Sequence, residues 1–443
     1  MPETADRQSQ YRQMSETARD IFLRSLAEAS IGKAFARHVN FERGVLKVCE
    51  DLYHLNTYSR VLVVSIGKAG HTMAEALTEQ LGISSVEGIV ATSVDLAAQV
   101  HGFRYFRGGH PTPNAESIRA AGAILKTLQA QTGESLVIFL LSGGGSSMVE
   151  KPLDEEISLE ELVHTYRALV HSGAPIGEIN AVRKHLSSVK GGRLAQAAYP
   201  AQQVSLLVSD VPDSTPDALA SGPTMPDSTS AEDCYRVVDK YNIQEQFPAS
   251  VRELFERRAI EETPKSDDYV FLKSRWWPVL SNRTIVEEAK TAAEQAGFSS
   301  YVDNSCDDWD YDRAAEYLLS RIHELRKETS PVCLISGGEV TVKVSHGGVG
   351  GRNQQFALAC ATRVAGENIT VLSGGTDGID GNSPAAGAVA DGSTTDRART
   401  KGLDASMALE KFDAYPFFSA LGDAMVIGPT GNNLRDLRIL LAY

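Results

Sequence analysis

The chain has 443 residues and a formal net charge of −14, with 42% hydrophobic and 23% charged residues. This composition is that of a globular protein with a real core, and it excludes a mostly disordered or fibrous chain. The acidic balance argues against a general attraction to nucleic acid or to anionic membranes, but it leaves room for local basic pockets that bind small anions.

The cysteines and the N-terminal segment indicate in which cellular compartment the protein is expected. The five cysteines are scattered and form no C-x-x-C pair, which argues against a disulfide framework. Residues 1–20 are polar and lack the apolar core of a signal peptide. The longest apolar runs are far too short to span a membrane. We therefore expect a soluble, cytoplasmic protein.

Short apolar runs that end in glycine or aspartate loops recur along the chain. They are VLVVSI (61–66), LVIFLL (136–141), VSLLV (204–208), VCLI (332–335) and ITVL (369–372). Between them lie helical patterns, for example at 115–128 and 284–296. Uninterrupted runs of this kind are typical of strands buried on both faces, so the pattern predicts an α/β fold with mainly parallel sheets. The loops after the strands become candidate ligand sites.

A break in this pattern suggests two domains. Prolines and charged segments without a strand pattern fill the stretch from 223 to 275. We therefore expect a first domain at 1–270 and a second at 271–443, which opens with the strand-like WWPVLSN at 276–282.

The segment SIGKAG (65–70) follows the first long run and precedes a predicted helix. Its glycines, Gly67 among them, would let backbone N–H groups approach an anion, and Lys68 adds a mobile positive charge. It is not a Walker A loop, because the chain has no Gly-Lys-Ser/Thr with the required upstream glycine. A tight turn with a solvated lysine is the alternative.

A second loop, SGGGSS, is a candidate nest for phosphate oxygens. It consists of Ser142, Gly143, Gly144, Gly145, Ser146 and Ser147. A flexible turn is the alternative. The loop does not match G-x-G-x-x-G, because Met148 holds the last position. No such fingerprint occurs elsewhere, which weakens a nicotinamide-dinucleotide interpretation.

Two windows lack acidic residues in this acidic chain. The window from Glu178 to Asp210 carries the bases Arg183, Lys184, His185, Lys190 and Arg193. On a helix these would form a basic face suited to a carboxylate or phosphate, unless they pair with acids elsewhere.

The second window, from Glu339 to Glu367, carries Lys343, His346, Arg352 and Arg363. In it, GGVGGRNQQF (347–356) predicts a mobile or anion-approaching loop that presents Arg352, with a hairpin loop as the alternative.

Aspartates lie in loops at strand ends. Asp210 and Asp213 follow the run at 204–208, Asp377 and Asp380 follow the run at 369–372, and Asp391 lies in the segment VADG (389–392). Such hard oxygen ligands match Mg²⁺ bound together with substrate phosphates, although aspartate is also an ordinary turn former. Glycine nests, a lysine at a helix start, a loop arginine and these carboxylates are the components of phosphoryl transfer. The residues alone thus predict a nucleotide kinase with a non-Walker site and leave its acceptor open.

At these residues the sequence resembles the class II glycerate 2-kinases of the MOFRL type. The matching segments are SIGKAG (65–70), GGHPTPN (108–114), LLSGGGSSM (140–148), INAVRKHLSSVKGGRLA (179–195), VSDVPDS (208–214), ALASGPTMPDST (218–229), ISGGEVTV (335–342), GGVGGRNQQFALA (347–359), LSGGTDGIDG (372–381), AGAVADG (386–392) and PTGNNLRDLRI (429–439). They extend over nearly the whole chain.

The resemblance implies phosphorylation of D-glycerate to 2-phosphoglycerate with ATP and Mg²⁺. It implies a larger Rossmann-like, mostly parallel three-layer domain, a smaller α/β domain with the MOFRL region at about 330–440, and a site in the cleft between them. The family's lysine, arginine and acidic loop fall on Lys68, Arg352 and Asp210, which we take as catalytic. Lys68 would neutralise phosphoryl oxygens, Arg352 would stabilise the transition-state charge, and Asp210 would orient the glycerate hydroxyl or bind Mg²⁺.

Further site residues are expected around these three. For substrate binding we expect Ser65, Asn180, Arg183 and Lys184. For nucleotide or phosphate binding we expect Gly67, the loop 142–147, Gly337, Gly338, Asn353 and Gln354. For the metal we expect Asp210, Asp213 and Asp377. A monomer or homodimer is expected.

Three rival functions remain open at this point. A hydroxypyruvate reductase using NADH or NADPH is the main one, because members of the family often carry that label. A kinase for a longer sugar acid would present the same α-hydroxy carboxylate. A non-catalytic sensor would bind ligand without turnover.

Overall fold

The protein is described by a computed structural model that covers residues 2–82, 86–95, 98–344 and 347–443, with side chains from residue 7 onward. His346, which the sequence analysis places in the second acid-free window, lies outside the described residues. The chain divides into two compact units. We call residues 31–279 the central unit, and residues 1–30 with 280–443 the terminal unit.

The terminal unit begins with helix α1 (Pro2–Glu28). Its Ile21 and Phe22 are fully buried, and the ring of Phe22 lies against Gly374. The expected division at 270 therefore differs from the compact units at the N-terminus. The reason is physical, since the sequence of a helix does not reveal which core the helix covers.

The central unit contains two sheets. Its strands are β1 (Val39–Glu42), β2 (Val45–Val48), β3 (Asp51–His54), β4 (Arg60–Ile66), β5 (Glu87–Thr92), β6 (Phe103–Arg107), β7 (Ser135–Ser142), β8 (Gln202–Val208) and β9 (Ser274–Leu280). The first three form an antiparallel sheet, and the others form a six-stranded sheet in the order β6-β5-β4-β7-β8-β9. The pairs from β6 to β8 are parallel, and the whole of β7 is buried.

The helices of the central unit follow the predicted alternation. They are α2 (Ile31–His38), α3 (Gly70–Leu81), α4 (Ala115–Gln129), α5 (Gly145–Met148), α6 (Leu159–His171), α7 (Ile176–His185), α8 (Arg193–Ala198), α9 (Ala231–Tyr241) and α10 (Ala249–Glu256). Short 3₁₀ segments lie at Leu55–Thr57, Pro216–Ser221, Gln244–Gln246 and Tyr269–Phe271. The strand predicted to open the second domain is β9, and it lies instead at the edge of the central sheet beside β8.

The strand order places the candidate loops together. From β4 the chain adds β5 and β6 on one side and β7 and β8 on the other, as in the doubly wound Rossmann order. The order therefore reverses between β4 and β7, and ligands of open α/β sheets bind at such a reversal, beyond the carboxyl ends of the strands. Lys68 follows β4, and the 142–147 loop follows β7.

The terminal unit has one six-stranded sheet. Its strands are β10 (Ser299–Val302), β11 (Val332–Gly337), β12 (Ile369–Gly375), β13 (Gly387–Asp391), β14 (Ala424–Met425) and β15 (Asp436–Ala442). Its further helices are α11 (Asn282–Gln295), α12 (Tyr311–Glu328), α13 (Arg352–Arg363), α14 (Thr394–Thr400), α15 (Ala405–Lys411) and α16 (Ala414–Leu421).

The order of this sheet is β10-β11-β15-β12-β13-β14, and β10 with β11 is its one parallel pair. The α/β class is confirmed, but the prediction of mainly parallel sheets is wrong for the terminal unit. The final strand β15 runs antiparallel between β11 and β12, and all three are buried. Strands buried on both faces have the same apolar pattern in either orientation, so the sequence cannot distinguish them. Within the described residues, no helix is long and apolar enough to cross a membrane.

Candidate active site

The turn after β4 holds Lys68 at the point where the strand order reverses. The backbone N–H of Lys68 donates to the Gly143 carbonyl at 2.9 Å, and that of Ala69 donates to Ser142 Oγ at 3.1 Å. The loops after β4 and β7 are thus joined through main-chain groups. The Lys68 side chain is exposed and has no ion pair among the described residues, so it is available to a ligand.

The loop after β8 brings Asp210 against the candidate nest. A Cβ atom on Gly143 would lie 1.9 Å from Asp210 Oδ2, so glycine is required for the carboxylate to approach. Gly144 has a φ of +79° and leads into the short helix α5. The hydroxyls of Ser146 and Ser147 form hydrogen bonds within the protein. Ser146 Oγ lies 2.8 Å from Ser221 Oγ, and Ser147 Oγ donates to the Gly144 carbonyl at 3.3 Å.

His110 is a further residue of this site, for which the sequence predicts no role. Its Nδ1 lies 3.3 Å from Ser147 Oγ. A Cβ atom on Gly144 would lie 3.3 Å from both His110 Nδ1 and Lys68 Cγ. Burial, and then the charge of Lys68, lower the pKa of His110 below its ordinary value, so the imidazole is neutral near pH 7. The one indication of His110 in the sequence is its place in GGHPTPN (108–114), a segment that carries the family resemblance.

The replacement Lys68→Met should raise the pKa of His110 part of the way to its ordinary value, because one of the two causes of its depression disappears. Titration of the imidazole protons by NMR measures the change, and Lys126→Met, at an exposed lysine of α4, serves as control. With its pKa depressed, the folded protein binds this proton less readily than the unfolded chain. The contribution of His110 to stability is therefore lost as pH falls through its folded pKa. An unchanged pKa in Lys68→Met would contradict the contact.

The expected basic face of the 179–195 segment is instead a buried ion-pair network. Lys184 Nζ donates to Asp217 Oδ2 at 2.8 Å and to Asp227 Oδ1 at 3.2 Å. Lys190 pairs with Glu150, and both side chains are inaccessible to solvent. Acids outside the window therefore neutralise these lysines, which is the alternative that the sequence left open.

The other expected substrate residues differ in what they contact. The Arg183 guanidinium lies over the Tyr166 ring, 4.6 Å from its centre, and its buried Nε has no hydrogen-bond partner among the described residues. Asn180 is half-buried on the same helix. Ser65 is buried and donates to the Gly70 carbonyl at 2.6 Å, which stabilises the turn. Substrate binding by these residues stays a prediction.

Replacing Lys184 with methionine should lower the free energy of unfolding by about 3 kcal/mol, because the buried carboxylate of Asp227 loses its cation. Urea denaturation measures this, with Lys126→Met as the exposed control. A variant of native stability with a raised KM for the substrate would instead support the substrate-binding role.

Arg352 is the centre of a charged cluster in the terminal unit. Its Nε donates to Asp436 Oδ2 at 2.6 Å and its NH2 group to Asp436 Oδ1 at 3.1 Å. The NH2 group also lies 2.8 Å from Glu339 Oε1. Burial alone would lower the pKa of Arg352, but Asp436 and Glu339 raise it, so the charge is permanent. The NH1 group has no partner among the described residues and remains available to an anion.

Two expected nucleotide residues begin helix α13. Asp380 is buried and accepts hydrogen bonds from the backbone N–H groups of Asn353 (3.1 Å) and Gln354 (2.9 Å) and from both side-chain amides. Asn353 Oδ1 accepts from Ser373 Oγ at 2.6 Å. Both side-chain amides thus hold the helix start, whereas the buried Oε1 of Gln354 has no hydrogen-bond partner among the described residues.

The backbone N–H groups of residues 337–339 also donate hydrogen bonds to side chains of the protein. The Gly337 N–H donates to Asn304 Oδ1 at 2.8 Å, and the Gly338 N–H donates to Asn282 Oδ1 at 2.9 Å. The Glu339 N–H donates to Asp307 Oδ1 at 3.0 Å. Side chains of the protein thus occupy the positions at which a phosphate oxygen would bind, and phosphate binding by Gly337 and Gly338 stays a prediction.

The three expected metal ligands lie in both units. Asp210 and Asp213 belong to one loop of the central unit, and Asp377 belongs to the terminal unit. In the part of the chain that the structure describes, no three His, Cys, Asp or Glu side chains form a group suited to a metal. One or two of these carboxylates could still hold a cation shared with substrate phosphates.

Two family models match different parts of the chain. The family model of a domain of unknown function, DUF4147, matches residues 17–256, and the MOFRL family model matches residues 332–436. The D-glycerate 2-kinase of Thermotoga maritima is 38% identical over 399 residues, which is 88% of this chain and 93% of that protein. The chain belongs to the glycerate 2-kinase family. The predicted resemblance is confirmed.

Two further proteins that are similar to this chain differ in name. The crystal structure of a glycerate kinase from Thermotoga maritima superposes with a TM-score of 0.84 at 34% identity and covers 98% of this chain and 100% of that one. A putative hydroxypyruvate reductase of Agrobacterium vitis is 35% identical over 86% of this chain and 87% of that protein. Relatives of this chain thus carry both names, glycerate 2-kinase and hydroxypyruvate reductase.

Proposed function

We propose that the chain is a D-glycerate 2-kinase, which transfers the γ-phosphoryl group of ATP to the 2-hydroxyl of D-glycerate. The observation that carries the proposal is the 38% identity to a D-glycerate 2-kinase over 93% of its length. The geometry adds support, because an exposed lysine, a glycine nest and an acidic side chain meet where the parallel sheet reverses its order. We further propose a cytoplasmic enzyme that is a monomer or homodimer.

Residues of the central unit have separate roles in this proposal. Lys68 neutralises phosphoryl oxygens, and the 142–147 loop presents backbone N–H groups to them. Asp210 lies against Gly143 and accepts or orients the proton of the attacking hydroxyl. His110 is neutral and close to Lys68, so it adds a hydrogen-bonding group without repelling the lysine.

Magnesium fits the donors of the Asp210 loop. The Asp210 carboxylate is a hard oxygen donor placed beside the candidate phosphate nest, and Asp213 follows on the same loop. When bound, Mg²⁺ would neutralise charge on the phosphate oxygens. Asp210 and Asp213 would hold it, and Asp377 of the terminal unit is a further candidate ligand.

Arg352 supplies a permanent positive charge for the transferring phosphoryl group. Asp436 and Glu339 occupy its Nε and NH2 groups and leave NH1 for phosphate oxygens. A guanidinium held in this way is preorganised, so it need not reorient as charge develops in the transition state.

The test is an ADP-release assay with ATP, Mg²⁺ and D-glycerate, followed by enolase alone. We expect ADP release and immediate enolase turnover, because enolase consumes 2-phosphoglycerate directly. ADP release without enolase turnover would assign the 3-phosphate. Release with erythronate or threonate but not with glycerate would assign a longer sugar acid.

The second candidate function is a hydroxypyruvate reductase, favoured by the name of the Agrobacterium vitis relative. It predicts oxidation of NADH or NADPH with hydroxypyruvate. It also predicts that these cofactors, rather than ATP, change the fluorescence of the three tryptophans. Ligand binding without any turnover would instead indicate a sensor.

A further inference from the structure

A cavity of about 520 Å³ lies beside Arg352 within the terminal unit. Its size is in the usual range of small-molecule sites. Four apolar side chains line one part of it, namely Val342, Val344, Ile379 and Phe412, and the carboxylates of Asp377 and Asp380 line another. Val344 and Ile379 are 66% and 47% exposed, so their apolar surface is open to a ligand. The cavity therefore offers an apolar surface next to a cation.

The backbone around the cavity is closely packed. The Gly350 N–H donates to Asn382 Oδ1 at 2.9 Å, and Asn382 Nδ2 donates to the Gly348 carbonyl at 3.1 Å. A Cβ atom on Gly348 would lie 2.3 Å from the Lys411 carbonyl oxygen. Gly348 and Gly350 thus pack closely against neighbouring residues of the cavity wall.

One polar side chain of the cavity wall remains half satisfied. Asp377 Oδ1 accepts from the Ile379 N–H at 3.1 Å, whereas its Oδ2 has no partner among the described residues. A carboxylate oxygen in this state is an acceptor for neighbouring hydroxyl donors, as on the ribose of a nucleotide.

We propose that this cavity binds the nucleoside portion of ATP, a step that rests on the proposed kinase function. The base packs on the apolar wall, the ribose hydroxyls donate to Asp377 Oδ2, and the phosphates extend toward the NH1 group of Arg352. D-Glycerate does not match this cavity, because a small, fully polar acid has no apolar face to cover these side chains.

The first experiment measures binding of ADP and of 2′,3′-dideoxy-ADP to the full chain by calorimetry, with EDTA and without D-glycerate. The native protein should bind ADP about tenfold more tightly, because the dideoxy nucleotide cannot donate to Asp377. Asp377→Ala should bind both nucleotides with the weaker affinity. Asp377→Asn, which keeps an oxygen for the Ile379 N–H, repeats the test if the alanine variant is unstable. Asp396→Ala, at an exposed aspartate of α14, is the matched control.

The second experiment concerns the apolar wall. Ile379→Asp should weaken both nucleotides at least about tenfold, since a carboxylate replaces apolar surface and repels the phosphates. Met407→Asp, at a similarly exposed apolar residue of α15 that does not line the cavity, should bind like the native protein.

Equal binding of the two nucleotides by the native protein, or discrimination that survives Asp377→Ala, would overturn the proposal. So would an effect of Asp377 that appears only when Mg²⁺ is added, because that result assigns Asp377 to the metal. The two proposals fail separately. If ADP binds as expected but D-glycerate is not phosphorylated, the nucleotide site stands and D-glycerate is not the acceptor. If D-glycerate is phosphorylated and Ile379→Asp leaves the KM for ATP unchanged, the kinase function stands and the nucleotide site fails.

Discussion

Replacing Lys68 with alanine should lower kcat for D-glycerate phosphorylation by about 10³ and leave the melting temperature almost unchanged. The expected loss reflects removal of a preorganised cation from the transferring phosphoryl group, where single contacts are worth factors of 10² or more. Stability should persist because the backbone N–H of Lys68, not its side chain, bonds to Gly143. The side chain itself is exposed.

The control for this prediction is Lys126→Ala, which removes an exposed lysine from α4 of the same unit. It should match the native enzyme in both kcat and stability. Steady-state assays at saturating ATP and D-glycerate, together with thermal unfolding, decide the outcome. A Lys68→Ala enzyme within tenfold of native activity would remove Lys68 from the mechanism.

Much of the fold follows from the sequence because buried strands and amphipathic helices leave clear patterns. The run at 136–141 corresponds to β7, and the helices predicted at 115–128 and 284–296 correspond to α4 and α11. Strand direction in the terminal unit was not predictable, since it depends on where β15 inserts. The docking of α1 likewise depends on a partner distant in sequence.

The parts of the candidate site that are glycine loops after buried strands could be predicted from the sequence. Lys68 and the 142–147 loop lie where the sheet order reverses, and Asp210 reaches Gly143. Composition was misleading for Lys184 and Lys190, because Asp227 and Glu150, which neutralise them, lie outside the acid-free window. The sequence shows a local excess of charge but not the long-range pairing that cancels it. His110 shows the converse, since only the fold brings it to Ser147.

The replacement Asp436→Asn should lower both kcat and the free energy of unfolding. Asp436 is buried and accepts from both Nε and NH2 of Arg352, and the fully buried Arg438 lies 3.6 Å from it. The asparagine side chain has one uncharged oxygen acceptor in place of two charged ones, so it cannot hold both Nε and NH2 of Arg352. Arg352 should therefore lose its fixed orientation. Misplacement of this kind costs about 10² in kcat. The free energy of unfolding should fall by about 3 kcal/mol, because Arg438 loses its nearest carboxylate.

Asp307→Asn is the matched control, because Asp307 forms a similar carboxylate–guanidinium pair in the same cluster, with Arg435 instead of Arg352. Asp307 accepts from Arg435 at 2.7 and 2.6 Å but does not contact Arg352. Burial alone would raise the pKa of Asp307, yet the bonds from Arg435 hold it below its ordinary value, so the pair stabilises the fold near neutral pH. This variant should lose stability by urea denaturation and keep the native kcat. Equal losses of kcat in the two variants would mean that the cluster supports only the fold, whereas a loss confined to Asp436→Asn would show that the carboxylate acts by orienting Arg352.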